Sequence, residues 1–308
     1  VLLYIAATIA IGVIAATRVK NTSDFALAGR SLPLPMVITA TFATWFGSET
    51  ILGLPGRFIE SGIAGVIEEP FGSGMALILV GTFFAHKLYK QNILTLGDYY
   101  RDRYGRSVEL LCSVAIVISY LGWVGAQVTA LGLVINLITE GAVSMTTGMV
   151  IGAAVVLAYT MVGGMWSVAM TDFVQMIVIV VGLVAILWFA TDLAGGMDKV
   201  VDYARGRDLF HAFPEPTTTG WLFWISAAMT MMIGSIPQQD VFQRVMSAKN
   251  LPTAVAGPIL GGSFYILFAF VPMFIVVAAI LVMPDAAEKM LSEDPQQLLP
   301  TLVRDYMP

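Results

Sequence analysis

Long apolar stretches, each about the length of a membrane-spanning helix, constrain the fold of this chain more than any other feature. There are about eight such stretches, separated by short polar segments. They cover approximately residues 1–17, 33–54, 70–90, 107–138, 144–162, 168–191, 218–237 and 256–283. A helix needs roughly 20 apolar residues to cross a hydrocarbon layer of about 30 Å. Only 12% of the 308 residues are charged, against about 25% in soluble domains. The sequence therefore predicts an all-α, multi-pass membrane protein whose largest partner is the lipid bilayer.

The positions of lysine and arginine predict which way the spans run. With the N-terminus outside, the inside loops are basic and the short outside loops are nearly free of basic residues, which is the pattern that sets membrane orientation. The inside loops then hold Arg18, Lys20, Arg30, Lys87, Lys90, Arg101, Arg103, Arg106, Arg244 and Lys249. We therefore expect a cell-membrane protein with its N-terminus outside. The longer outside segments, approximately 192–217 and 284–308, predict short surface helices, for example over residues 197–204.

Two of the apolar stretches carry glycine and proline in places that would interrupt a helix. The second contains Gly47-Ser48-Glu49-Thr50 followed by Gly53-Leu54-Pro55-Gly56, and the seventh ends in Gly234-Ser235-Ile236-Pro237-Gln238-Gln239-Asp240. Interrupted membrane helices are tolerated where the freed backbone faces protein or a water-filled cavity, and paired interruptions mark the central site of many secondary transporters. Simple kinks, or close packing of small residues, are the alternative explanation.

Glu49 is the most unusual side chain in these interruptions. A carboxylate inside an apolar stretch costs a few kcal/mol on insertion scales, so it usually faces an interior site. The alternative is an interfacial position at the outer end of the break. Arg57 follows eight residues later, about two helical turns, and we do not expect a direct ion pair along one continuous helix.

A diglycine turn joins the fifth and sixth spans. Asp172 and Gln175 follow Gly163-Gly164 and lie at positions i and i+3, on one face of the sixth span. An acid and an amide together near the inner end would suit a cation that leaves toward the cytoplasm. Alternatively, Asp172 caps the start of the helix, a position that aspartate favours.

The stretch from Gly163-Gly164 through Thr171-Asp172 to Gln175 resembles the signature of the sodium:solute symporter family. The second span resembles the family's proline- and choline-transporting branches, and the loops around Thr95-Leu96-Gly97-Asp98 and Phe242-Gln243-Arg244-Val245 also resemble the family. The resemblance implies a leucine-transporter-like inverted-repeat fold, truncated here to about eight transmembrane helices. Residues 1–308 would then form a single, incomplete transporter domain, with an extra first helix at about 1–17, one repeat at about 33–191 and the start of a second repeat at about 218–308.

The resemblance also implies ion and solute sites. The backbone carbonyls of Ala43 and Phe46 match the family's sodium site, and Asp172 matches an acid on the sodium path toward the cytoplasm. Trp45 and Trp123 match aromatic residues that surround a quaternary ammonium in the choline-transporting branch, where cation–π attraction holds the ligand. Interfacial or packing roles are the alternative for both tryptophans.

Three further residues depart from that aromatic cage. Ser73 and Gln238 stand where the cage has aromatic side chains, and Glu49 has no counterpart in it. Buried serine and glutamine need hydrogen-bond partners, which a trimethylammonium group cannot supply. We therefore expect a small polar or amine-bearing solute, bound near Trp45, Glu49, Ser73, Trp123 and Gln238.

The function predicted from the sequence is secondary active transport, in which inward sodium movement drives solute uptake. Sodium would be the only metal, and no further cofactor is expected. The charge balance of −5 gives no indication of a nucleic-acid partner, and the pattern favours no particular oligomeric state. The alternative is a transporter-like sensor fused to a signalling module. An enzyme is not expected, because the sequence has neither an H-E-x-x-H motif nor paired intramembrane aspartates.

Overall fold

The computed structural model describes residues 2–307, with side chains for residues 6–307, and this part of the chain is built from α-helices. They are α1 (Leu2–Ala16), α2 (Thr22–Leu27), α3 (Leu34–Trp45), α4 (Leu54–Ser61), α5 (Ser73–Leu79), α6 (Ala85–Gln91), α7 (Leu96–Tyr104), α8 (Arg106–Ile138), α9 (Met145–Leu193), α10 (Met197–Gly206), α11 (Thr218–Gly234), α12 (Gln239–Met246), α13 (Leu251–Phe268), α14 (Phe270–Val282), α15 (Pro284–Glu293) and α16 (Leu298–Tyr306). Short 3₁₀ or π-helical turns join several of them.

Helices long and apolar enough to cross a membrane occupy the places where the sequence predicts spans. They cover Ile63–Gln91, Arg106–Ile138, Met145–Leu193 and Leu251–Val282, and α11 with α12 forms a bent pair that passes the same test together. Shorter apolar helices lie at Ala6–Ala16 and Leu34–Trp45. Every predicted span thus contains a helix within the described residues, although Val1 of the first span lies outside them.

The longest helix, α9, accounts for two predicted spans. Its 49 residues would extend about 74 Å at 1.5 Å per residue, more than twice the thickness of a hydrocarbon layer. Gly164 interrupts it with φ 51° and ψ −140°. Backbone of that kind is accessible to glycine and costly for other residues. The diglycine turn predicted between the fifth and sixth spans is therefore present at Gly164.

The second span is interrupted, but not at every predicted position. Helix α3 ends at Trp45, and a π-helical turn at Glu49–Gly53 leads directly into α4. The sequence analysis treated Gly53-Leu54-Pro55-Gly56 as part of the interruption, whereas these residues continue the helix. Pro55 lies in the first turn of α4, directly after the π-helical turn.

A third interruption, which the sequence analysis did not predict, lies in the third span. The π-helical turn Ile67–Gly72 contains Glu69 with φ −138° and ψ 124°, an extended conformation between helical neighbours. Pro70 follows it and has no N–H to donate. The helical chain also begins at Ile63 rather than near residue 70. Glu69 therefore lies at a break inside a membrane span, not in a loop.

Outside the spans, the predicted surface helices are present. Helix α10, Met197–Gly206, covers the predicted residues 197–204, and α15 and α16 occupy the second outside segment. Helix α7 begins with a capping box in which the Thr95 side chain accepts from the Asp98 N–H and the Asp98 side chain accepts from the Thr95 N–H. Such a box satisfies backbone donors at the helix start that have no helical partner.

The chain divides into two compact units. Unit 1 comprises residues 1–44, 77–176 and 235–263, and unit 2 comprises residues 45–76, 177–234 and 264–308. In unit 1, α13 lies close to α3, since a Cβ on Gly257 would be only 2.4 Å from Val37 Cγ1. In unit 2, α14 buries most of its length and packs against α4. The predicted single domain over residues 1–308 stays a prediction.

Apolar side chains also cover much of the surface. Leu110, Leu111 and Leu121 of α8 are 66–70% exposed, a pattern that a soluble protein rarely tolerates as a continuous face. Lipid tails are as apolar as leucine, so such a face needs no protein cover in a bilayer. The exposed apolar surface and the helix lengths both indicate a membrane protein.

Candidate ion and solute sites

The end of α3 provides the first candidate site. The last carbonyls of a helix have no partner within it, and Ala43 lies in the last turn of α3. The Trp45 carbonyl accepts hydrogen bonds from the Gly47 N–H at 2.8 Å and the Thr50 hydroxyl at 3.1 Å. Phe46 follows the helix end and is buried. The interruption thus lies where the sequence analysis placed the sodium ligands, whose role remains a prediction.

Glu49 does not have the isolated position expected from the sequence. Its carboxylate lies 3.9 Å from the Arg57 guanidinium, which is also 4.0 Å from Glu68. No ion pair is expected along one continuous helix, and the two side chains approach each other because that condition is not met. The chain between them is not one regular helix, because the π-helical turn Glu49–Gly53 shifts the register and both side chains are long. Glu49 is 47% exposed, so an interfacial ion pair describes it better than a buried charge.

Glu69 is the buried carboxylate of unit 2. The residue is 7% exposed, and its Oε1 accepts hydrogen bonds from the Thr50 hydroxyl at 2.7 Å and from the Tyr265 hydroxyl. The Thr50 and Tyr265 hydroxyls are themselves 3.0 Å apart. These three residues come from the turn after α3, the break in the third span, and α13. We call them the Glu69 cluster.

Glu69 is not among the site residues predicted from the sequence, because of its position along the chain. It falls in the gap between the second and third apolar stretches, so it was treated as a loop residue. A local signal exists, because Glu68-Glu69-Pro70 places two acids and a proline directly before an apolar run. The sequence does not show that Tyr265, 196 residues later, returns to contact this position.

Two of the three predicted solute residues in unit 2, Trp45 and Ser73, are partly or wholly covered by protein. Trp45 is half-buried, and its Nε1 is buried without a hydrogen-bond partner among the described residues. Ser73 is fully buried, and its hydroxyl donates to the Glu68 carbonyl at 3.5 Å. A buried indole N–H normally has an acceptor, so Trp45 carries a donor that a ligand could use.

The predicted residues in unit 1 have different surroundings. Trp123 lies on α8 and is 44% exposed. Gln238 is the N-cap residue of α12, with extended backbone, and its carbonyl accepts from the Phe242 N–H at 3.1 Å. Its neighbour Gln239, which the sequence analysis did not select, accepts from the Leu96 N–H at 2.8 Å through its side chain. Trp45, Glu49 and Ser73 belong to unit 2, while Trp123 and Gln238 belong to unit 1.

The diglycine turn is a packing junction as well as a bend. A Cβ on Gly164 would lie 2.3 Å from the Phe25 carbonyl oxygen, and the Ser167 hydroxyl donates to the Gly12 carbonyl at 2.6 Å. Asp172 lies eight residues beyond Gly164, two turns inside the helix. The alternative interpretation of Asp172 as a helix cap is therefore excluded by the position of the helix start.

Helix α12 carries several polar side chains of unit 1, and one of them acts electrostatically on Asp172. Its apolar face is buried, and Phe242 and Met246 belong to a core with Leu27 and Leu96. On its other side, the Asp240 carboxylate accepts from the Tyr120 hydroxyl at 2.8 Å. The Arg244 guanidinium interacts electrostatically with Asp172 and donates to the Asp240 carbonyl at 3.3 Å. Asp172 therefore lies within the electrostatic influence of Arg244, although the two form no ion pair among the described residues.

A bundle of apolar helices with polar residues at several interruptions is typical of secondary transporters. The model of the sodium:solute symporter family matches residues 25–308. The chain belongs to this family. The resemblance seen in the diglycine motif is thereby confirmed.

Several individual transporters are similar to this chain. It is 29% identical over 258 residues to the high-affinity choline transporter 1 of Caenorhabditis elegans, covering 82% of this chain and 43% of that protein. The human high affinity choline transporter 1 is 30% identical over 254 residues, covering 78% of this chain and 42% of the relative. Sodium/glucose cotransporter 4 of Danio rerio is 27% identical over 302 residues, with 90% and 45% covered. The chain thus spans less than half the length of these relatives.

A solved structure shows the same fold. A Na⁺-coupled sialic acid symporter, described in a substrate-bound outward-open state with a novel Na⁺ site, superimposes with a TM-score of 0.84 at 19% sequence identity. The match covers all of this chain and 65% of the other. The predicted all-helical, leucine-transporter-like fold is confirmed.

Proposed function

We propose that this protein couples inward sodium movement to the uptake of a small polar or amine-bearing solute across the cell membrane. Membership of the sodium:solute symporter family over residues 25–308 carries the proposal. The relatives described above are named as transporters of choline or as a sodium/glucose cotransporter. Their names agree on transport and differ on the solute, so they support symport without fixing the cargo. No observation favours the sensor alternative.

The proposed sodium ligands are the backbone carbonyls of Ala43 and Phe46, at the end of α3. A helix end supplies carbonyl oxygens and the negative end of the helix dipole, and both attract a cation. Asp172 is proposed as a later point on the sodium path. Asp172 lies two turns inside a membrane helix, where an acidic side chain is costly and usually has a functional role.

The proposed solute residues are Trp45, Glu49, Ser73, Trp123 and Gln238, with roles of different kinds. The unpartnered Nε1 of Trp45 supports a hydrogen bond to the solute. Glu49 would act at longer range, because it is exposed and paired with Arg57. Ser73 and Gln238 replace the aromatic walls of a choline cage, which favours a solute with its own hydrogen-bonding groups over choline.

Sodium binding at Asp172 can be tested without knowing the solute. We expect sodium chloride, compared with potassium chloride at equal ionic strength, to raise the thermal stability of the purified protein in detergent, since a bound ligand stabilises the folded state. Asp172→Asn should weaken apparent sodium affinity by about tenfold, equivalent to about 1.4 kcal/mol. Asp192→Asn, on the exposed end of the same helix, is the matched control and should leave the sodium affinity unchanged.

Asp172→Glu separates loss of charge from loss of folding. It keeps the carboxylate and should bind sodium more tightly than Asp172→Asn. Equal sodium stabilisation of the wild type and Asp172→Asn would contradict the proposed role of Asp172. Stabilisation by sodium and potassium alike would contradict sodium coupling itself.

A further inference from the structure

Acidic side chains outnumber basic ones around Glu69. Arg57 is the cation of this region, and its guanidinium lies within 4.0 Å of Glu49 and Glu68. Glu69 is 7% exposed and forms no ion pair with any described residue. A buried carboxylate is strongly disfavoured unless positive charge or several hydrogen bonds compensate for the lost water. The region thus contains three acids and one arginine, and Glu69 is the acid that forms no ion pair with that arginine.

The hydrogen bonds of the Glu69 cluster do not satisfy both oxygens of the buried carboxylate. A threonine and a tyrosine hydroxyl each have one hydrogen to donate. Both hydroxyls approach the same oxygen, Glu69 Oε1, and the Thr50 hydroxyl also lies 3.1 Å from the Trp45 carbonyl. Glu69 Oε2 forms no hydrogen bond with the side chains and backbone that the structure describes. One oxygen of a buried carboxylate is therefore left for a donor from outside the protein.

We propose that Glu69 is the anchor for a protonated amine on the transported solute, with an ammonium N–H donating to Oε2. This inference rests on the proposed function, because the ligand is taken to be the cargo. The acid that binds the amine is then Glu69, which is buried, rather than Glu49, which is exposed and paired with Arg57. Thr50 and Tyr265 position the carboxylate by holding Oε1, and the solute supplies the missing positive charge.

The geometry selects among cations by hydrogen bonding. A primary or secondary ammonium both neutralises Glu69 and donates a hydrogen bond, and charge-assisted hydrogen bonds are the stronger kind. A trimethylammonium group offers charge but no N–H, so Oε2 stays unsatisfied. A neutral hydroxyl offers a hydrogen bond but no charge. An ammonium group with at least one N–H therefore supplies both the positive charge and the hydrogen-bond donor that Glu69 lacks.

Matched ligand pairs test this directly. The full-length protein would be titrated in sodium buffer with ethanolamine and ethylene glycol, and with L-alanine and L-lactate, since each pair exchanges an ammonium for a hydroxyl. Choline serves as the ammonium without N–H groups. Binding would be measured calorimetrically in detergent. We expect at least one amine to bind, with its hydroxyl partner and choline both weaker by about tenfold or more.

Single-residue variants then test which carboxylate contributes to amine affinity. Glu69→Gln should weaken the bound amine by about tenfold or more, because the charge is lost. Glu68→Gln removes the same charge one residue away, at the exposed ion pair with Arg57, and should change amine affinity little. Tyr265→Phe keeps the ring and removes one hydroxyl from Oε1, so it should weaken amine binding less than Glu69→Gln. Glu69→Asp should restore part of the affinity.

Each outcome decides the proposal. Choline or a hydroxyl ligand binding as tightly as the amines would overturn it, as would absence of binding by both amines. Equal effects of Glu68→Gln and Glu69→Gln would also overturn it. Glu69→Gln acting on apparent sodium affinity but not on amine affinity would assign the carboxylate to sodium instead. Sodium-dependent uptake in a separate assay would still support the proposed function in all these cases, so the two failures are distinguishable.

Discussion

Gly164 shows how much can depend on one residue of this chain. Its φ of 51° with ψ of −140° lies in a region that other residues rarely adopt, and the Phe25 carbonyl oxygen occupies the space that a side chain would need. The diglycine motif that identifies the family therefore has a local structural reason. It turns the chain between two spans and lets the segment after α1 approach the turn closely.

Replacing this glycine should destabilise the protein. We expect Gly164→Ala to cost about 1–3 kcal/mol for the strained backbone, with a further cost for the contact with Phe25. Gly182→Ala, later in the same helix and with no atom within 4 Å of the new Cβ, should be neutral or slightly stabilising because alanine favours helix. Thermal unfolding in detergent measures both. Equal stability of the two variants would contradict the strain assigned to Gly164.

The acids of the chain show which site residues can be predicted from sequence. Asp172 follows a recognisable motif, so its place was found, although only the structure excludes a capping role. Glu49 lies inside an apolar stretch and was therefore predicted as a site residue, yet its side chain is exposed and pairs with Arg57. Glu69 was not predicted as a site residue, because its partner Tyr265 is remote in sequence. Burial of a charge depends on such tertiary contacts, and local sequence does not record them.

At the scale of elements, the interruptions are better predicted than their limits. Glycine, proline and small polar residues indicated breaks in the second and seventh spans, and both are present. The break at Glu69 was missed, since one proline beside two acids resembles an ordinary loop. The reverse error occurred at residues 54–56, which belong to α4 and continue the helix after the π-helical turn. Helix position, rather than composition, decides the effect of proline.

Helix α12 is short, and side-chain hydrogen bonds supplement its packing. The Tyr120 hydroxyl donates to the Asp240 carboxylate at 2.8 Å and accepts from the Asp240 N–H at 3.1 Å. An eight-residue helix is marginal without such tertiary support. Tyr120 therefore fixes the first turn of α12, the turn that follows the break in the seventh span.

Removing this hydroxyl should loosen the start of α12. We expect Tyr120→Phe to lower stability by about 1–3 kcal/mol, since a partly buried carboxylate loses its donor. Hydrogen exchange should become faster at the amides of Asp240 and Val241. Tyr306→Phe, at an exposed position on α16, is the control and should change neither. Unchanged exchange at α12 in Tyr120→Phe would show that packing alone holds the helix.

For the whole molecule, the basic loops predict the orientation in the membrane. An outside N-terminus places α15 outside and α7 inside. After replacing the single native cysteine, Cys112→Ser, we would introduce Asp285→Cys on α15 or Asp102→Cys on α7, both at exposed positions. A membrane-impermeant maleimide added to intact cells should label Asp285→Cys alone. Labelling of Asp102→Cys alone would invert the orientation.

The central claim is that sodium drives solute entry. The most direct measurement is the uptake of labelled ethanolamine, choline, L-alanine and L-proline into liposomes that contain the full-length protein. We predict that at least one solute accumulates under an inward sodium gradient, and that a sodium ionophore abolishes its accumulation. Accumulation that persists when potassium replaces sodium, and that follows an imposed proton gradient instead, would contradict the account.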